Sequence, residues 1–220
     1  MPNGPRTFRI EAARRGPWAP DGSDREPLKT LHLPSTLRCA EMTEKAEAWR
    51  VPSNILRTLP YTAYTATLAH GIVFGHAPSL HLFGALIVNE LSNHAAKAAL
   101  KKAYGKEHPE IRRPDGAMDT GIYPQHRPQL SKSSGMPSGH SQTAWFLATV
   151  LSASSGGRRS SQLFLFAMAA LVTLSRTRHG GMLSIAVDGE VKACHTVNQV
   201  LLGAAIGMLL GWLCVLGYFR

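Results

Sequence analysis

The chain has 220 residues, 44% hydrophobic and 17% charged, with a formal net charge of +10. That length permits one domain with a sizeable core. Most of the charge lies in residues 1–57 and 101–135, whereas a soluble domain spreads charge over every amphipathic element, so the segregation argues for a membrane protein. The basic balance calls for a polyanion, an anionic membrane surface or phosphate substrates. Nucleic acid is set aside because the basic stretches carry no motif that reads it. Three cysteines (Cys39, Cys194 and Cys214) without regular spacing give neither a disulfide framework nor a zinc site.

In chain order, residues 1–30 are rich in Pro, Gly and Arg and read as a flexible basic tail. They contain no apolar run of the kind a signal peptide needs. Glu11, Asp21, Asp24 and Glu26 argue against a transit peptide. Residues 34–49 read as a short amphipathic helix on the membrane surface or on the domain. Residues 1–57 thus form one region and residues 58–220 a membrane domain.

Five apolar segments follow: Leu59–Phe74, Leu80–Leu100, Ser141–Ser155, Gln162–Ser175 and Val197–Phe219. A lone spanning helix needs about 20 apolar residues, and only the second and fifth segments reach that length. The expectation is an all-α, integral-membrane bundle of about five spans. In the fifth segment Gly203, Gly207 and Gly211 recur every four residues, which lines one helix face with small residues and lets two backbones approach closely. Counting spans puts the 101–140 loop and the 176–195 loop on the same membrane face, since two crossings separate them. Arg158-Arg159 and Arg220 favour a cytosolic opposite face by the positive-inside rule, which leaves the active site facing the lumen or exterior; the arginine-rich tail argues the other way.

Between those segments lie the residues that carry chemistry. Pro137-Ser138-Gly139-His140 precedes the third segment, Ser175-Arg176 closes the fourth, and His195 precedes the fifth. Arginine forks and the backbone N–H groups of a helix start bind phosphate oxygens. A histidine pair supplies a nucleophile and a proton donor near neutral pH. Each feature alone has a bland reading as a cap or a span end; together on one face they point to phosphoryl transfer. No carboxylate cluster stands beside them to hold a metal.

These residues resemble the type-2 phosphatidic acid phosphatase family, the lipid phosphate phosphatase and haloperoxidase superfamily, whose motifs read K-x6-RP, PSGH and SR-x5-H-x3-D. Lys106 with Arg113-Pro114 fits the first, Pro137 to His140 the second, and Ser175-Arg176 with His195 the third in part. Lys97 is a second candidate for the first lysine, and Arg127-Pro128 a rival RP pair. The resemblance implies that His195 attacks phosphorus to form a phosphohistidine and that Gln199 orients it. Lys106 (or Lys97), Arg113, Arg176, Ser138 and the Gly139 N–H hold the phosphoryl oxygens, and His140 protonates the leaving group. It implies no cofactor and no metal, and a membrane lipid as substrate.

The sequence departs from the family pattern twice. Eighteen residues separate Arg176 from His195, where the family has five. The extra thirteen, including Gly180-Gly181 and Asp188-Gly189, read as an inserted polar loop that must fold out of the way; His179 is the rival histidine. Gln199 stands where the family usually has Asp, and it can accept the imidazole N–H without supplying charge. The segment His195-Thr196-Val197-Asn198-Gln199-Val200, with Gly135-Met136 before the second motif and Asn89-Glu90 upstream, resembles the dolichyl-diphosphate phosphatase branch. That implies a polyprenyl diphosphate substrate, protein glycosylation and the endoplasmic reticulum. The alternatives are a phosphatidate phosphatase, a catalytically decayed membrane homologue and a soluble vanadate-dependent haloperoxidase.

Overall fold

A computed structural model describes residues 50–114, 117, 134–179, 185–187 and 190–218. The amphipathic helix expected over 34–49 and the rival pair Arg127-Pro128 lie outside the described residues. Five helices form the described body: α1 (Arg50–Val73), α2 (Ala77–Tyr104), α3 (Gly139–Ser154), α4 (Arg159–Ser175) and α5 (Val197–Tyr218). Two three-residue strands, β1 (Ile185–Val187) and β2 (Glu190–Lys192), pair antiparallel between α4 and α5. α1 begins before the boundary that composition suggests, and Leu56 is already part of the core.

Short connections set the topology. Gly75, at φ 61°, turns α1 back into α2, and the Tyr64 hydroxyl donates to Leu86 O across the pair at 3.1 Å. Gly156 and Gly157, at φ 63° and 77°, do the same between α3 and α4. A positive φ is nearly free for glycine and strained for other residues.

α3 is the central helix. It runs parallel to α5: Ser138 lies against Gly203, Gln142 against Gly207, and Phe146 and Thr149 against Gly211. A Cβ on Gly207 would stand 2.9 Å from the Gln142 carbonyl carbon, and one on Gly211 would stand 2.9 Å from Phe146 O. The glycine stripe is therefore the contact that lets the two backbones meet.

Toward α2, α3 is polar rather than apolar. Gln142 donates to Asn89 O at 2.8 Å and to Asn89 Oδ1 at 3.0 Å. Asn93 donates to Gln142 Oε1 at 2.8 Å, and Asn89 to Thr143 Oγ1 at 3.2 Å. Toward α4, Ser141 and Trp145 both meet Thr173 Oγ1, at 3.1 and 2.9 Å. All these groups except Trp145 are buried, and pairing removes the penalty of burying them.

The expectation of about five spans is supported in part. Among the described residues one helix, Val197–Gly217, is long and apolar enough to cross a membrane, and Arg159–Ser175 is apolar but shorter. The Leu80–Leu100 segment falls short because Asn89, Glu90, Ser92, Asn93, His94 and Lys97 lie within it; α2 uses several of them for the interior ladder. The helix exteriors are nonetheless apolar. Phe74, Val88, Leu91, Leu163, Phe164, Leu201 and Trp212 are all exposed.

Candidate active site

All five helices bring one end to the same place. α1 contributes its first turns, α2 and α4 their C-terminal ends, and α3 and α5 their N-terminal ends. Two helix N-termini thus aim unpaired N–H groups and positive dipole ends at one region.

The first loop is stitched to the entry of α3. Arg112 and Ser134 form an antiparallel bridge, and Gly135 N donates to Ile111 O at 2.8 Å. A Cβ on Gly135 would meet the end of the Gln199 side chain, which would have to shift. The Met136–Pro137 peptide is cis. Ser138 N donates to Gln199 O at 3.0 Å, which fixes the second motif against α5.

Ser138 occupies the N-cap position of α3, yet its hydroxyl makes no capping bond. The side chain is fully buried, and Oγ has no hydrogen-bond partner among the described residues. A native structure rarely strands a buried hydroxyl, which makes this one a candidate ligand contact. Gly139 is the first residue of α3 and packs beside Asn93.

The eighteen residues between Arg176 and His195 do not keep these two apart. Arg176 O accepts from Cys194 N at 3.2 Å and from His195 N at 3.0 Å. The chain leaves at Arg176 and returns beside it, and the β1–β2 hairpin lies within the excursion. Arg176 is itself buried, the largest of the fully buried side chains. His179 is exposed, while His195 is buried.

His195 is held in one tautomer. Nδ1 lies 2.9 Å from Gly135 O and 3.2 Å from Gln199 Oε1. Both partners are carbonyl oxygens, so Nδ1 carries the proton and Nε2 carries the lone pair. Arg113 Nη1 stands 3.4 Å from Nε2 and also donates to Cys194 O at 3.3 Å.

Gln199 is oriented just as firmly. Its Nε2 donates to Arg112 O at 2.7 Å and to Glu110 O at 3.0 Å, while its Oε1 accepts from Thr196 N at 3.2 Å. A carboxylate could accept from His195 but could donate nothing to those two loop carbonyls. One amide therefore orients His195 and anchors the first loop together.

His140 stands near the start of α3. Its Nε2 lies 3.0 Å from Arg57 O, and the Tyr61 ring meets it edge-on at 6.1 Å. Burial first, then the charges of Arg176, Arg113 and Lys97, hold His140 well below the usual imidazole range. Burial, then Arg113 and Arg176, then His140, do the same to His195. Protonation of both rings is thus disfavoured, and His195 lies within electrostatic reach of His140.

The two lysines separate. Lys97 is partly buried one turn beyond Asn93 on α2, and its charge reaches His140. Lys106 is exposed, just past Gly105, which caps α2. The K-x6-RP spacing favours Lys106, whereas the fold sets Lys97 beside the histidine. A cleft of about 430 Å³ opens on the site and is lined by Pro114, Thr177, His179, Ala193 and His195; its lining does not include His140. Among the described residues no three His, Cys, Asp or Glu side chains are grouped to hold a metal ion.

Motif reading missed Arg57. It lies on α1, outside all three motifs, and its guanidinium is within electrostatic reach of Arg176. The available signal was an arginine at the edge of an apolar segment.

A family model described as the PAP2 superfamily matches residues 78–181. That span includes Lys97, Lys106, Arg113, the Pro137–His140 stretch and Arg176. It stops inside the excursion, before His195 and Gln199. No curated protein and no solved structure matches the chain.

Proposed function

We propose that this chain is a membrane-bound phosphatase that hydrolyses a lipid phosphate through a phosphohistidine. The observation that carries the reading is the state of His195: Nδ1–H held by two carbonyl oxygens, and Nε2 unprotonated, accepting from Arg113 at 3.4 Å. Nε2 attacks phosphorus, and the bond to the leaving oxygen breaks. His140, protonated when the anion is bound, gives that oxygen its proton. Water then attacks the phosphohistidine and releases phosphate.

The cations explain how His140 becomes an acid. Burial, and then Arg176, Arg113 and Lys97, oppose its protonation. A bound phosphate offsets those charges and raises the imidazole toward neutrality. Ser138 Oγ, the N–H groups at Gly139 and the guanidinium groups of Arg113 and Arg176 hold the phosphoryl oxygens. Lys97 takes the lysine role in preference to Lys106. With charge supplied by side chains, the reaction proceeds without a metal.

The lipid is a polyprenyl diphosphate of the dolichyl type. Support comes from His195-Thr196 with Gln199-Val200, and from the use this fold makes of the Gln199 amide. Arg158 and Arg159 lie at the turn opposite the site, which favours a lumenal site in the endoplasmic reticulum by the positive-inside rule. The test is phosphate release by detergent-purified protein from polyprenyl diphosphate and from phosphatidate, with and without EDTA. Release from the diphosphate in EDTA is expected. Release only from phosphatidate overturns the substrate, and a strict metal requirement overturns the mechanism.

A further inference from the structure

We infer that the cleft beside His195 is an aqueous exit for the released phosphate, separate from the side on which the lipid departs, and that Arg178 draws the anion into it. This inference rests on the proposed phosphatase reading and deepens it. Arg178 is not a motif residue; it stands on the excursion between Arg176 and His195 that departs from the family spacing.

One product stays anchored in lipid and the other is a free anion. His195 Nε2 bonds to phosphorus and His140 protonates the departing oxygen, so the lipid leaves beside His140. α1 forms that side. His140 Nε2 lies 3.0 Å from Arg57 O, the Tyr61 ring meets the imidazole edge-on, and Ile55 and Tyr61 expose apolar surface. Water then attacks phosphorus, the Nε2–P bond breaks with its electron pair returned to Nε2, and the proton of the water passes to His140. The phosphate set free there is a hydrated anion, for which an apolar wall is an unfavourable route.

The cleft is the other route. It measures about 430 Å³ and is lined by His195 but not by His140, with room for on the order of ten waters. The two ends of the excursion build its wall: Thr177, Arg178 and His179 on the way out, and Ala193 on the return. Thr177 and Ala193 are buried and hold the wall in place, while Arg178 and His179 are exposed. No Asp or Glu is among the described lining residues. A guanidinium is charged at any working pH, and a cleft lined by cations concentrates anions. Phosphate freed from His195 therefore meets an open, positively charged passage to water.

The experiment uses the full chain in detergent with whichever of polyprenyl diphosphate and phosphatidate it turns over. Lipid product formed in the first turnover is compared with steady-state phosphate release, which separates chemistry from product release. Capping the thiol of His179→Cys with a bulky maleimide should leave the first turnover within about twofold and slow the steady state about tenfold. Wild type treated with the same maleimide controls for the native cysteines. Arg178→Glu should slow only the steady state, by about 3- to 10-fold, and Arg158→Glu at the α3–α4 turn should slow neither. Equal slowing of both phases, or slowing of neither, overturns the exit and leaves the phosphatase reading standing. An equal effect from Arg158→Glu overturns the role of Arg178. If the wild type hydrolyses neither lipid, the rate of maleimide labelling of His179→Cys is read with inorganic phosphate and with chloride at equal ionic strength. Protection by phosphate that Arg178→Glu removes would keep the anion passage while the hydrolytic reading falls; labelling that phosphate does not slow would overturn the passage.

Discussion

The two ends of the bundle are made by the same five helices and have little else in common. One end turns the chain with isolated glycines and exposes Ile72, Val73 and Phe74. The other end buries Ser138, Arg176, His195 and Gln199 and ties three separate loops together through backbone carbonyls. The turn end only has to reverse direction. The site end has to keep like charges close and histidines in fixed tautomers, and it does so with hydrogen bonds to backbone carbonyls, while Ser138 Oγ stays without a partner among the described residues. If this contrast is right, substitutions at the site end should remove activity and substitutions at the turn end should not.

The largest effect is expected from His195→Ala, which should lower kcat about 10⁴-fold or more while the protein still inserts. Retained phosphate release would remove His195 as nucleophile. Next is Gln199→Glu. It replaces an N–H donor with a second acceptor facing Arg112 O and Glu110 O, so activity should fall about 100-fold and stability by about 2 kcal/mol. A more active variant would mean that charge on His195 matters more than the loop.

The response to pH follows from the depressed histidines. His140 and His195 are neutral in the folded chain below the pH at which they protonate in the unfolded chain. The unfolded state therefore binds more protons below about pH 6.5. Stability conferred by the neutral rings is complete above that pH and is lost as pH falls toward their folded values. Melting temperature in detergent should drop between pH 7 and pH 5, and added phosphate should reduce the drop. A flat profile would contradict the burial of the two rings.

Smaller still is excision of residues 180–192, which leaves five residues between Arg176 and His195. The Arg176 carbonyl clamp joins the ends at either length, and the longer loop costs only about 1 kcal/mol more to close. Activity should stay within about tenfold. At the turn end, Gly156→Ala should cost about 1 kcal/mol, because its φ is positive, and leave kcat unchanged.

Much of the site was legible because its residues sit at helix ends, where motif and topology coincide. Span counting put Pro137–His140 and Arg176 on one face, and the fold joins them there. The choice between Lys97 and Lys106 was not legible from spacing, because it depends on where α2 ends. The hairpin was read as a polar loop, although Asp188-Gly189 is a strong turn signal. The polarity inside the bundle was hidden because Ser141, Gln142 and Thr143 stand at the head of an otherwise apolar stretch. Arg57 carried no motif, and only the packing of α1 beside His140 brought it into view.

Under the membrane reading proposed above, the ladder of Asn89, Gln142 and Asn93 bears on how the helices find one another in lipid. Hydrocarbon gives two greasy helices little reason to prefer one rotation or offset over another. Paired amides break that degeneracy, because sliding α3 by a single turn would leave their buried donors and acceptors without partners. The ladder thus acts as a registration key, and the bundle should assemble with its catalytic end aligned before any substrate arrives.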